Sequence, residues 1–132
     1  MKINLHTHSN YSLDGEYDVN ELINFFIDNN FDIISITDHD TCEAYKHIRD
    51  NPNIKVITGI EADAIVNNHT YDFLCYNFKL DEVYKYAKEK YETVDKRQLK
   101  IFNALVEKAK SRNINLSNID SYDPKKEYAP RN

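Results

Sequence analysis

His6-Thr7-His8-Ser9-Asn10-Tyr11-Ser12-Leu13-Asp14-Gly15 gathers two imidazoles, a carboxylate and three aliphatic hydroxyls directly after a short apolar run. Lys2 to Leu5 has the alternation of a short strand. Side chains two apart on a strand share a face, so His6 and His8 are expected to point the same way. Two imidazoles on one face make a metal clip, and Asp14, after a polar turn closed by Gly15, can bring a hard oxygen ligand back toward it. Taken alone, the His-x-His pair also reads as two half-exposed histidines at a strand end.

Two later stretches repeat the pattern. Ile33-Ile34-Ser35-Ile36 has the character of a buried strand and runs into Thr37-Asp38-His39-Asp40-Thr41, an imidazole between carboxylates at a strand's C-terminal end. Ile54 to Thr58 is a third such strand, and Gly59-Ile60-Glu61 follows it with a further carboxylate. Three parallel-type strands ending in metal-ligand chemistry form a pattern, because open α/β sheets and barrels place their chemistry at that edge.

HTHSNYSLDG, ITDHDT and GIEAD together resemble the first three motifs of the PHP (polymerase and histidinol phosphatase) family of metal-dependent phosphoesterases. The resemblance covers residues 1 to 116 and implies that His6, His8, Asp14, His39 and Glu61 are metal ligands. It also implies a site for two or three ions such as zinc, manganese or iron, with His39 as candidate catalytic residue. The fold it implies is α/β, a mainly parallel sheet of βα units equivalent to the first half of a distorted (β/α)7 barrel.

The chain has 132 residues, 41% of them hydrophobic, which suits one domain with a real core. Lys2 is followed by too short an apolar run for a signal peptide, and no stretch approaches the ~18 apolar residues of a membrane span, so a cytoplasmic location is expected. Cys42 and Cys75 lack CxxC spacing and read as free thiols. The net charge of -5 is unevenly spread: residues 1–82 carry 15 acidic and 5 basic side chains, residues 83–132 carry 7 and 12. The acidic half holds the candidate ligands, and the basic half reads either as a face for an anionic substrate or as solvated helix surface.

Asp18-Val19-Asn20-Glu21 has the form of a capping box. Val19, Leu22, Ile23, Phe26 and Ile27 then recur at helical spacing as far as Asn29-Asn30. Asp40 or Thr41 is expected to cap a second helix ending at Asn51-Pro52-Asn53, with His47 on its surface and Asp38 or Asp40 orienting the His39 ring. Ala62 to Val66 and Tyr71 to Phe78 read as a hairpin at the sheet's edge, turning at Asn67-Asn68 with His69 on the rim. Proteins of the PHP family commonly carry a metal-binding histidine near Asp72, so the resemblance makes Asp72 a substituted candidate ligand. Two amphipathic helices follow, one from Leu80 to Tyr91 and one through Leu99, Phe102, Leu105, Val106 and Ala109. Lys96, Arg97 and Lys100 cluster at the start of the second, and the resemblance makes Arg97 the candidate phosphate contact.

From Ser117 the apolar pattern fails, so the domain is expected over 1–116 and an extended tail over 117–132. The expected reaction, by resemblance, is hydrolysis of a phosphate ester, whether nucleotide, oligonucleotide or small phosphomonoester, by a metal-activated water. Full PHP domains are longer and supply further ligands. The alternative expectation is therefore a shortened, catalytically weak PHP-like domain that binds metal or a partner chain, or self-associates, along an open sheet edge. Neither reading involves a membrane, and nucleic acid enters only as a possible substrate.

Overall fold

Three short apolar runs set the order of the elements. In the computed structural model, which describes residues 1–90 and 94–116 (backbone only for 94, 95, 97 and 98), they form β1 (Ile3–Asn4), β2 (Ile33–Ile34) and β3 (Lys55–Val56). The sheet is parallel in the order β1-β2-β3, with Ile3 opposite Ile33 and Ile33 opposite Lys55. These regular ladders are shorter than the runs 2–5, 33–36 and 54–58 lead one to expect. Backbone pairing nevertheless continues toward the candidate ligands. Thr37 N–H donates to Thr7 C=O at 2.8 Å, Ile57 to Ile34 at 2.8 Å and Glu61 to Asp38 at 3.2 Å. The stretch beyond the ladders carries buried polar side chains, Ser35, Thr37 and Asp38, whose own hydrogen bonds replace regular strand geometry.

α1 (Val19–Asp28) begins where the capping box predicts: Asn20 N–H donates to Asp18 Oδ1 at 2.8 Å and Asp18 N–H to Glu21 Oε2 at 3.3 Å. Asn30, at φ 58°, takes the left-handed conformation just past its end. Val19, Ile23 and Phe26, spaced for one helical face, are buried with Ile34, Ile36, Ala44 and Ile54 in the main core. Each such side chain contributes about 1.5–3 kcal/mol on full burial.

The second predicted helix is replaced by a single 3-10 turn, Glu43–Lys46. Thr41 Oγ1 does accept the Glu43 N–H at 3.1 Å. Asp40, however, sits in a turn at φ 57° with its N–H given to Glu61 C=O at 2.8 Å, and it does not cap the 3-10 turn, whose N-cap is Cys42. At the far end the Asn20 side chain donates to His47 C=O at 3.0 Å and accepts the Arg49 N–H at 2.9 Å, which pulls the backbone off a helical path.

β4 (Gly59–Val66) and β5 (His69–Tyr76) form the expected hairpin, starting earlier than Ala62 and Tyr71. Asn67 and Asn68 both have positive φ, 52° and 64°, as a two-residue type I′ turn requires. The hairpin is a separate two-stranded sheet rather than an added edge of the first. A parallel bridge between His39 and Glu61 joins them, and the Tyr76 hydroxyl donates to Leu5 C=O at 2.8 Å. α2 (Leu80–Lys90) follows, its Ala87 buried with Cys42 and Ile60.

The chain divides into two compact units, Met1–Tyr91 and Glu92–Asn132. Among the described residues the second unit holds α3 (Val94–Ser111), and Asn113, two residues past its end, has φ 54°. Residues 117–132, the predicted tail, lie outside the described residues. Among those residues no helix is long and apolar enough to cross a membrane.

Candidate metal centre

His6 and His8 lie in the loop beyond β1 rather than on it, and their rings still converge. His6 Nε2 and His8 Nε2 are 3.2 Å apart, and Glu61 Oε2 lies 3.0 Å from the first and 2.8 Å from the second. Beside this triangle, Asp14 Oδ2 is 2.7 Å from His8 Nδ1 and 3.8 Å from His39 Nε2, which is itself 3.6 Å from Glu61 Oε2. The structure thus brings together His6, His8, Asp14, His39 and Glu61, from two loops and one strand. His6 is half exposed at the rim and Asp14 is exposed as a residue, whereas His8, His39 and Glu61 are largely enclosed.

These residues fit a metal on the chemistry and spacing of their donors. Ligand atoms around one tetrahedral zinc stand about 3.3 Å apart, given bonds of ~2.0–2.1 Å, and the His6, His8, Glu61 triangle has edges of 3.2, 3.0 and 2.8 Å. His8 turns both ring nitrogens to carboxylate oxygens, whereas a neutral imidazole carries a single N–H. A cation held by His8 Nε2 and Glu61 would resolve that mismatch. His8, Asp14 and His39 form a second candidate group, and His39, Asp63 and Asp72 a third.

Buried polar groups fix the loops that carry the ligands. Asp38 accepts both the N–H and the hydroxyl of Ser9, each at 2.6 Å. Burial pushes its carboxyl up to about 6, against those hydrogen bonds. Asp38 fastens the first loop through Ser9, and Asp40 Oδ1 accepts the Asp63 N–H at 2.8 Å. Ser12 donates to Asp14 Oδ1 at 2.6 Å and accepts the His39 N–H at 3.2 Å. Two glycines are required by close approach. A Cβ on Gly15 would stand 1.8 Å from Ser9 O, and one on Gly59 2.1 Å from Ser35 Oγ.

Asp63 was not singled out from the sequence, although strand alternation places it on the face of Glu61. It stands opposite Asp72 across the hairpin, with Oδ1 3.8 Å from His39 Nδ1. His47 closes the 3-10 turn at the surface, stacked on Tyr11 with centroids 5.2 Å apart, and His69 is exposed at the start of β5. Arg97 belongs to α3 in the second unit, and its side chain lies outside the described residues.

A family model described as PHP domain matches residues 4–127. Comparison with curated proteins gives no match. Among solved structures the chain is similar to an amidohydrolase from Chromobacterium violaceum, determined with bound sulfate and no metal. The TM-score is 0.66 and the identity 20%, and the alignment covers 81% of this chain and 39% of that one. The chain therefore spans about two fifths of that protein's length.

Proposed function

The chain belongs to the PHP domain family, and from that premise we propose that it is a metal-dependent phosphoesterase acting on a phosphate ester, with manganese, zinc or iron as its ions. The observation that carries this reading is the donor triangle of His6, His8 and Glu61 with Asp14 and His39 beside it. His6, His8 and Glu61 would hold one ion, and Asp14 and His39 a second, with Asp72 as a further ligand. Bound ions would supply Lewis-acid polarisation of a phosphoryl oxygen and activation of a water nucleophile. His39 is the proposed catalytic residue, since its nitrogens stand 3.6–3.8 Å from Asp14, Glu61 and Asp63 and so are not tied into a short hydrogen bond with any of them. Half-exposed His6 leaves one side of the site open to solvent, and substrate would enter there. Arg97 is proposed to clamp the substrate phosphate.

The test is hydrolysis of an aryl phosphate and of a short oligonucleotide by the purified chain with added manganese. Activity is expected to vanish with chelator and to fall about 100-fold or more in His39→Ala. If Arg97 contacts the substrate phosphate, Arg97→Ala should mainly raise KM, since such a contact positions substrate without activating the water.

A second reading is favoured by one observation: β5 exposes Tyr71, Phe73, Leu74 and Tyr76, and no strand pairs its outer side among the described residues. On this reading the chain is a shortened PHP domain whose site is completed by a second copy or a partner chain along β5. Metal binding without hydrolysis, with activity restored by such a chain, would select it over the first.

A further inference from the structure

We infer that Ser12 is a positioning residue of the metal centre: its hydroxyl selects which oxygen of Asp14 faces the imidazoles and ties that carboxylate to the backbone of His39. The inference rests on the proposed reading of the site as a metal centre and adds to it a role for a side chain that is not a ligand.

Ser12 is 1% exposed, so its hydroxyl cannot be satisfied by bulk water. A hydroxyl has one proton to give, and the two contacts of Ser12 leave no choice of direction. The His39 backbone N–H at 3.2 Å can only donate, so Oγ accepts there. The serine proton therefore goes to Asp14 Oδ1 at 2.6 Å, the length of a hydrogen bond to an ionised carboxylate. With Oδ1 engaged, Asp14 presents Oδ2, the oxygen 2.7 Å from His8 Nδ1 and 3.8 Å from His39 Nε2.

Ser12 is itself held in place. Its N–H donates to Ser9 C=O at 2.9 Å, and Ser9 is fastened to Asp38 through both N–H and hydroxyl. Backbone contact at Gly15 closes the loop on its other side. Removing the hydroxyl would withdraw the hydrogen bond that Asp14 Oδ1 accepts and leave the His39 N–H without its acceptor. It would also loosen the link between Asp14, from the first loop, and His39, from the second.

The experiment is a titration of the full chain with Co2+, followed by its visible ligand-field absorption, in wild type, Ser12→Ala, Asp14→Asn and the double variant. Ser12→Ala is expected to bind Co2+ about 10–100-fold more weakly and to shift the absorption bands, a signature that loss of packing alone would not give. In the Asp14→Asn background the same change should cost far less, because Ser12 acts through Asp14. Should circular dichroism show Ser12→Ala unfolded, Ser12→Cys, close in volume and a weaker donor, takes its place. Unchanged affinity and spectrum in the variant, or equal losses in both backgrounds, would overturn the inference and leave the metal reading standing. Absence of Co2+ binding by the wild type would overturn the metal reading, and the inference with it.

Discussion

The Tyr45 hydroxyl sits where β2 and β3 end. It accepts the N–H of Gly59 at 2.7 Å and of Ile36 at 3.2 Å and lies 2.7 and 2.9 Å from the carbonyls of Ile36 and Ile57. Burial pushes it up to about 12, so it stays protonated wherever the protein is handled. Tyr45→Phe keeps the ring and strands these backbone groups. A buried donor left without its partner costs ~1–3 kcal/mol, and a loss of that size is expected in the urea unfolding free energy. A loss below 0.5 kcal/mol, as an order of magnitude, would mean that the strand ends re-pair without the hydroxyl. Residues of this kind were illegible in the sequence. His6, His8, Asp14, His39 and Glu61 stand out because each follows an apolar run in a ligand-type cluster. Ser9, Ser12 and Tyr45 carry no spacing that separates a buried hydroxyl from an exposed one.

Among the elements, α1 was readable to its ends, because a capping box and an apolar face are written within a dozen residues. The Asn20 N–H donated to Asp18 holds that carboxyl below its ordinary value of 3.8. A depressed folded pKa contributes stability above the unfolded pKa that is lost as pH falls through the folded one. Wild type is therefore expected to exceed Asp18→Asn in urea midpoint near pH 6, with the gap closing as pH drops below about 4. A gap constant from pH 6 to pH 3 would show that the carboxylate's charge plays no part in the cap. The 3-10 turn was misread as a helix for the opposite reason. Its path is set by Asp40 on Glu61 and by Asn20 on His47 and Arg49, contacts from distant stretches that local propensity does not encode.

At the scale of the molecule, the parallel βα order was legible in the three apolar runs and the capped helix between them. The separation of the hairpin into its own sheet was not. It depends on how far pairing with β2 persists, a property of two segments at once. β5, His69-Thr70-Tyr71-Asp72-Phe73-Leu74-Cys75-Tyr76, has neither lysine nor proline to guard its outer side. On the partner reading, the chain self-associates with rising concentration in sedimentation experiments, and Phe73→Lys reduces that association. A wild type that stays monomeric at millimolar concentration would remove a second copy as the occupant.

His6 and Glu61 meet at 3.0 Å across 55 residues of chain. A cation held between them is a crosslink that the folded chain offers and the unfolded chain does not, so ion binding and folding draw on one equilibrium. At a hundred times its dissociation constant such an ion adds ~2.7 kcal/mol, a large share of the ~5–15 kcal/mol that keeps a domain folded. Were the site to hold such an ion, free ion concentration would become a variable of the protein's lifetime, and scarcity of the ion would thin the folded population.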